Sequence, residues 1–184
     1  MTGTFERSDA LLAEIRAEFP SFAVRPKRGS ALQRAIDVAL RVITANQMTT
    51  YLTRYHTVLF GTLWVPDTWD AMSDLDRYVL LRHERVHLRQ RKRMGDVAMA
   101  YVYLVPIFPI GLAYGRARIE WEAYVETLRA TDEVYGRAAT LALRGPIVER
   151  FVGPDYGWMW PFRRTIERWF DEAVAALPQD AGPR

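Results

Sequence analysis

The stretch LLRHERVHLRQ, residues 80–90, contains two of the three histidines in the chain. His83 and His87 are four positions apart, and Glu84 directly follows the first. Residues with this spacing lie on one face of an α-helix, so both imidazoles would point toward one position. Glu84 would lie roughly 100° further around the same helix. The stretch therefore predicts a helix that presents two metal ligands and an adjacent carboxylate, the H-E-x-x-H pattern.

Zinc is the metal that this pattern indicates, because it binds imidazole nitrogen and, in catalytic sites, keeps one position open for water. We predict that His83 and His87 are zinc ligands and that Glu84 is a general base, taking a proton from a water molecule at the metal. On a helical wheel the histidines fall within an apolar stripe that also contains Val79, Leu80, Val86 and Met94. The alternative is a pair of core histidines that are held by other polar groups.

A third protein ligand has to come from further along the chain, where no histidine follows His87. The helical segment RARIEWEAYVETLRA, residues 116–130, supplies Glu120, Glu122 and Glu126. The wheel places Glu120 within an apolar arc, whereas the other two fall on a charged face. A carboxylate in an apolar arc is costly unless it is paired or bound to metal. Glu120 is the predicted third ligand, and Glu122 is the second candidate for that position. The alternative is that Glu120 forms a buried ion pair with an arginine.

HERVH followed by a helix that carries EWEAY resembles the gluzincin branch of the zincin metallopeptidases, over roughly residues 48–130. That branch pairs HExxH with a later glutamate, typically in an E-x-x-x-D or E-x-x-A-D pattern. Ala123 matches the alanine of the pattern, which favours Glu120 as the aligned glutamate. Tyr124 stands where the family usually has an aspartate that orients a zinc histidine. The resemblance makes Tyr124 a candidate catalytic residue, whose hydroxyl either replaces that hydrogen bond or faces the substrate oxyanion.

The fold class follows from the pattern on either side of the motif. TYLTRYHTVLFGTLWVP, residues 50–66, is rich in β-branched and aromatic residues and predicts two short strands around Tyr55–His56. A long helix is expected from about Ser73 to Arg93, and most of the remaining chain has a helical pattern. We expect His56 to be a surface or core residue, since the ligand set is already filled.

The resemblance places a small antiparallel sheet before the active-site helix and the glutamate helix. We therefore predict a mainly α (α+β), zincin-like fold in a single metallopeptidase domain, residues 1–184. Its core would span about residues 30–177, and residues 178–184 would form a mobile tail.

An uncharged run, residues 97–114, separates the predicted ligands. Its length suits a transmembrane helix, but a single crossing would put His87 and Glu120 on opposite sides of a membrane. Pro106 and Pro109 break the run, so we predict a hairpin that either packs in the core or contacts a bilayer surface. The basic segment RQRKR that precedes it suits anionic lipid. Since the chain has no cysteine and no apolar leader, we predict a cytoplasmic protein, with membrane association through this run as the alternative.

Composition narrows the function classes further. Hydrophobic residues make up 49% of the chain and charged residues 26%, as in ordinary globular proteins. A net charge of +3 is too small for a dedicated nucleic-acid binder, so we expect no nucleic acid partner. The sequence predicts a zinc-dependent metallopeptidase that acts on a peptide or protein substrate. The alternative is a catalytically inactive protein that binds zinc or interacts with a membrane surface.

Overall fold

The chain is mainly helical and carries one small sheet, which confirms the predicted mainly α (α+β) class. A computed structural model describes residues 5–43, 46, 49–104, 113–153 and 159–178. Within these residues the helices are α1 (Glu6–Glu18), α2 (Ala31–Ile43), α3 (Tyr51–Arg54), α4 (Asp74–Met94), α5 (Asp96–Leu104), α6 (Tyr114–Tyr135), α7 (Arg137–Ala142), α8 (Arg144–Val152) and α9 (Arg163–Ala175). The strands are β1 (Ala23–Pro26), β2 (Thr57–Leu59) and β3 (Thr62–Val65), and a 3₁₀ helix (Asp67–Ala71) follows β3.

The sheet has the strand order β1-β3-β2 and is mixed, so the prediction of an antiparallel sheet was wrong for one strand pair. β2 runs antiparallel to β3, with Val58 opposite Leu63. β1 runs parallel to β3, with Val24 opposite Leu63. The sequence did not indicate β1, because the strand is four residues long and prolines at 20 and 26 obscure its pattern.

The hairpin turn between β2 and β3 lies at Phe60 and Gly61, whereas the sequence predicted it at Tyr55–His56. Both turn residues have positive φ, 49° and 77° respectively. Two-residue hairpin loops of this kind match the twist of the strands, and glycine adopts the required conformation without steric cost. Phe60 is a rarer occupant of that region, so the turn lacked its usual sequence signal.

Two compact units make up the chain, Met1–Glu84 and Arg85–Arg184. The division falls inside α4, which is one continuous helix. The first unit contains the sheet, and its buried apolar residues include Leu11, Ile15, Phe22, Leu63 and Val65. The second unit has a core on α6, α8 and α9 that includes Trp121, Leu128, Phe151, Ile166 and Phe170.

Two parts of the uncharged run are described: residues 97–104, which lie in helix α5, and residues 113–114, where α6 begins. Pro106 and Pro109, on which the predicted hairpin depends, lie outside the described residues, as does the predicted tail after Pro178. Across the described ranges, no helix is both long enough and apolar enough to cross a membrane.

Candidate metal centre

Helix α4 has stabilising residues at both of its ends. At the start, the Ser73 hydroxyl accepts a hydrogen bond from the Asp76 N–H at 3.1 Å and donates one to the Asp76 carboxylate at 2.7 Å. This reciprocal pairing satisfies a backbone donor of the first turn. At the other end the last turn is basic, which favours the negative end of the helix dipole, and Gly95 follows with a φ of 82°. The predicted helix from about Ser73 to Arg93 is confirmed.

The three predicted ligands come together. His83, His87 and Glu120 each offer one ligand atom, and these atoms all lie within 4.8 Å of one another. Nε2 of His87 lies 3.7 Å from Oε2 of Glu120. Zinc bonds of about 2.0–2.2 Å would place tetrahedral ligand atoms roughly 3.4 Å apart. The group therefore fits one zinc ion after small movements of the side chains.

The most buried face of α4 is centred near Glu84. The Glu84 side chain is 6% exposed, and its neighbours on that face, Leu81 and Leu88, are buried as well. His87 is buried, whereas His83 is only half-buried. The helical wheel had put both histidines within the buried stripe, which was wrong for His83, because the histidines lie toward one edge of the buried face. As a result the carboxylate is shielded from water and one histidine remains partly accessible.

The two glutamates that competed for the third ligand position differ in burial. Glu120 is 5% exposed, and its neighbours Trp121 and Ala123 on α6 are also buried. Glu122 is exposed, and its Oε2 lies 3.5 Å from Arg93. The assignment of these residues to a buried and a charged face is confirmed.

Gln90, which the sequence did not single out, contacts one of the histidines. It is 2% exposed, and its Oε1 lies 2.9 Å from Nδ1 of His87. Its Nε2 donates hydrogen bonds to the Ile119 carbonyl and to the Glu122 carboxylate, each at 2.9 Å. The available signal was the spacing of three from His87, since side chains at i and i+3 are neighbours on a helix.

Tyr124 is 4% exposed and lies in the core of the second unit. Its hydroxyl accepts a hydrogen bond from Nη1 of Arg150 at 3.0 Å, and its ring packs on Phe151 with a centroid distance of 5.5 Å. These contacts hold the tyrosine in place. A hydrogen bond to a ligand histidine or to a substrate oxyanion stays a prediction.

Within the first unit, a buried lysine interacts electrostatically with Glu84. Lys27 is 2% exposed, and its Nζ donates to the Tyr51 carbonyl at 2.9 Å and to the Thr57 hydroxyl at 3.0 Å. Burial lowers the pKa of Lys27 to about 8, against the attraction of the Asp37 and Glu84 carboxylates, which acts to raise it. Lys27 therefore brings a positive charge into the surroundings of the candidate base.

His56 is half-buried and packs edge-on against Trp69, with ring centroids 5.9 Å apart. Burial, assisted by the charge of Lys27, lowers the pKa of His56 to about 4, so its imidazole is neutral at pH 7. Its Nε2 is buried and has no hydrogen-bond partner within the part of the chain that the structure describes.

Comparison of the chain with protein-family models, with curated proteins and with solved structures gave no match.

Proposed function

We propose that the chain is a zinc-dependent metallopeptidase of the zincin type, with His83, His87 and Glu120 as the ligands and Glu84 as the general base. The observation that carries this proposal is the group of three ligand atoms within 4.8 Å of one another, two of them on the helix that also presents buried Glu84. Two imidazoles and one carboxylate leave a tetrahedral ion one open position, which is the arrangement of catalytic zinc sites.

Zinc, when bound, would polarise the substrate carbonyl and activate the attacking water molecule. Glu84 would take the proton from that water and deliver it to the leaving amine nitrogen. Its position next to His83 in the sequence would set the carboxylate roughly 100° around the helix from that ligand, beside the metal site and outside the ligand set. Burial of Glu84 limits competition from bulk water, and the nearby charge of Lys27 attracts the carboxylate. Tyr124 is the candidate donor to the developing oxyanion.

The direct test is cleavage of a mixed peptide library, read by mass spectrometry. We expect new peptide termini with the zinc-loaded protein, and none after chelation or in Glu84→Gln. Cleavage that persists in Glu84→Gln would remove the proposed mechanism. A wild-type protein that holds zinc but cleaves nothing in the library would favour the alternative, an inactive zinc-binding protein.

A second proposal, compatible with the first, is contact with an anionic membrane surface at the start of the uncharged run. Val97 is 85% exposed and Tyr101 64% exposed, one turn apart on α5. Lys92 and Arg93, at the end of α4, are also exposed. Apolar side chains next to cations suit the interface of anionic lipid.

Co-sedimentation with lipid vesicles tests this contact. We expect the protein to bind anionic vesicles and not zwitterionic ones, and the double variant Val97→Ser/Tyr101→Ser to lose the binding. Equal binding to both kinds of vesicle, or binding to neither, would contradict the proposal.

A further inference from the structure

We infer that Gln90 is a positioning residue of the metal centre, which fixes the tautomer of His87 and holds that ligand against the helix that carries Glu120. This inference rests on the proposed metal site. Gln90 would not touch the ion or the substrate, so its effect is exerted through His87.

The orientation of the Gln90 amide follows from its partners. Nε2 lies 2.9 Å from the Ile119 carbonyl and 2.9 Å from the Glu122 carboxylate. A carbonyl and an ionised carboxylate are both acceptors without a proton to donate. A reversed amide would direct its oxygen at these two oxygens and lose both hydrogen bonds. The NH₂ group therefore faces α6, and Oε1 is the atom that faces His87.

The tautomer of His87 follows from the orientation of that amide. Oε1 of Gln90 can only accept, and it lies 2.9 Å from Nδ1 of His87, so Nδ1 carries the proton. In a neutral imidazole the other nitrogen then keeps its lone pair. That nitrogen, Nε2, is the one that lies 3.7 Å from Oε2 of Glu120. Gln90 therefore leaves unprotonated the nitrogen that would bind the metal.

The same side chain also aligns the two helices. Ile119, whose carbonyl accepts from Gln90, directly precedes Glu120 on α6. One amide thus holds His87 through its oxygen and the backbone beside Glu120 through its nitrogen. Metal-binding histidines generally have a partner of this kind on their second nitrogen, a carboxylate, carbonyl or water. Here the partner is a neutral amide, which adds no charge to the buried site.

The first test is made on the metal-free protein, by long-range proton–nitrogen correlation NMR of the three histidine rings at a pH where they are neutral. We expect His87 to show a protonated Nδ1 and an unprotonated Nε2. Gln90→Met, which has a similar length and no acceptor oxygen, should lose this preference. A wild-type His87 protonated on Nε2, or an unchanged tautomer in Gln90→Met, would overturn the inference.

The second test measures zinc affinity by competition with a chromophoric chelator. Gln90→Met should weaken zinc binding by about 10- to 100-fold, the usual effect of losing such a partner. Glu122→Ala is the matched control, because it removes one acceptor of the Gln90 amide and leaves the other, the Ile119 carbonyl, to fix the orientation of that amide. We expect its affinity to stay close to that of wild type. Unchanged affinity in Gln90→Met, or an equal loss in Glu122→Ala, would contradict the role assigned to Gln90.

These readouts do not depend on peptidase activity. If the tautomer and the affinity behave as expected and no peptide is cleaved, the proposed function fails and the role of Gln90 stands. If peptides are cleaved and the tautomer is the opposite one, the inference about Gln90 fails alone.

Discussion

Nε2 of His87 and Oε2 of Glu120 lie 3.7 Å apart, although the two residues belong to different helices. Both side chains are buried, so the negative charge of Glu120 is largely removed from water. A buried carboxylate is stable only with a compensating charge or hydrogen bonds. A divalent cation would supply that charge. A cation bound between these two residues would therefore stabilise the folded chain.

Replacing Glu84 by glutamine should abolish proton transfer without removing a ligand. We expect kcat to fall by about 10²- to 10⁴-fold, the range for loss of a general base, while zinc content stays at the wild-type value. Glu126→Gln makes the same chemical change on α6, outside the ligand group, and should leave kcat unchanged. Steady-state kinetics with a peptide substrate and metal analysis of the same samples measure both. Loss of zinc in Glu84→Gln would assign Glu84 to the ligand set instead.

Zinc should stabilise the folded chain, because the ligand group exists only when α4 and α6 are folded. A concentration of free zinc 100 times the dissociation constant would raise the free energy of unfolding by about 2.7 kcal/mol. Thermal denaturation with and without zinc measures this difference. In His87→Ala the shift should be much smaller. A melting temperature that does not respond to zinc in the wild-type protein would count against any metal site.

Lys27 should give the stability of the protein a specific dependence on pH. Its pKa is about 8 in the folded chain and 10.5 is its ordinary value, so between these values the unfolded chain binds more protons. The free energy of unfolding should therefore rise as the pH is raised from about 8 to 10.5. Below about pH 8 the lysine is charged in both states and contributes no slope.

The slope is isolated by comparing wild type with Lys27→Met in denaturant titrations at several pH values. The free energy of unfolding of wild type, minus that of the variant, should increase with pH over the interval. Lys92→Met removes an exposed lysine and serves as the control, with a difference that stays flat. A flat difference for Lys27→Met as well would show that its ammonium is not destabilised by burial.

Asp74 should contribute to stability through a helix that is distant in the sequence. Its carboxylate accepts hydrogen bonds from the backbone N–H groups of Arg7 at 3.1 Å and Ser8 at 2.8 Å, in the first turn of α1. The first N–H groups of a helix generally lack a carbonyl acceptor within that helix, so a side chain that accepts from them stabilises the helix start. Asp74→Ala should lower the free energy of unfolding by about 0.5–2 kcal/mol, the usual effect of losing a cap. Asp70→Ala, at a side chain that is 95% exposed, should change it little; equal effects of the two substitutions would contradict this role.

The features that could be predicted from the sequence are those that a local pattern determines, such as the bounds of a helix and the side of it that is buried. The bounds of α4 followed from Ser73 and the basic last turn. Burial of Glu120 and exposure of Glu122 followed from the apolar arc of α6, because a helix that packs on a core buries one face only.

Other features were not predictable because they depend on partners far along the chain. β1 forms by parallel pairing with β3, which is 39 positions later at Ala23 and Thr62, a contact that no local pattern contains. In the sequence, Gln90 was one of many polar residues on a charged helix. Only the packing of α6 against that helix gives the NH₂ group of Gln90 its acceptors.

The Phe60–Gly61 turn was misplaced for a local reason. Phe60 has a positive φ, which residues of its type seldom adopt, so the usual sequence signal of such a turn was missing.

Metal content by mass spectrometry, on protein purified without a metal-affinity tag, tests the central claim most directly. Wild type, Glu120→Ala and Glu122→Ala would be compared after addition of zinc and removal of the excess. We expect about one zinc per chain in wild type and in Glu122→Ala, and loss of zinc in Glu120→Ala, as the His83, His87 and Glu120 site requires. No zinc in the wild-type protein would mean that HERVH is part of a charged helix whose two histidines bind no metal, and the peptidase proposal would fall with the metal site.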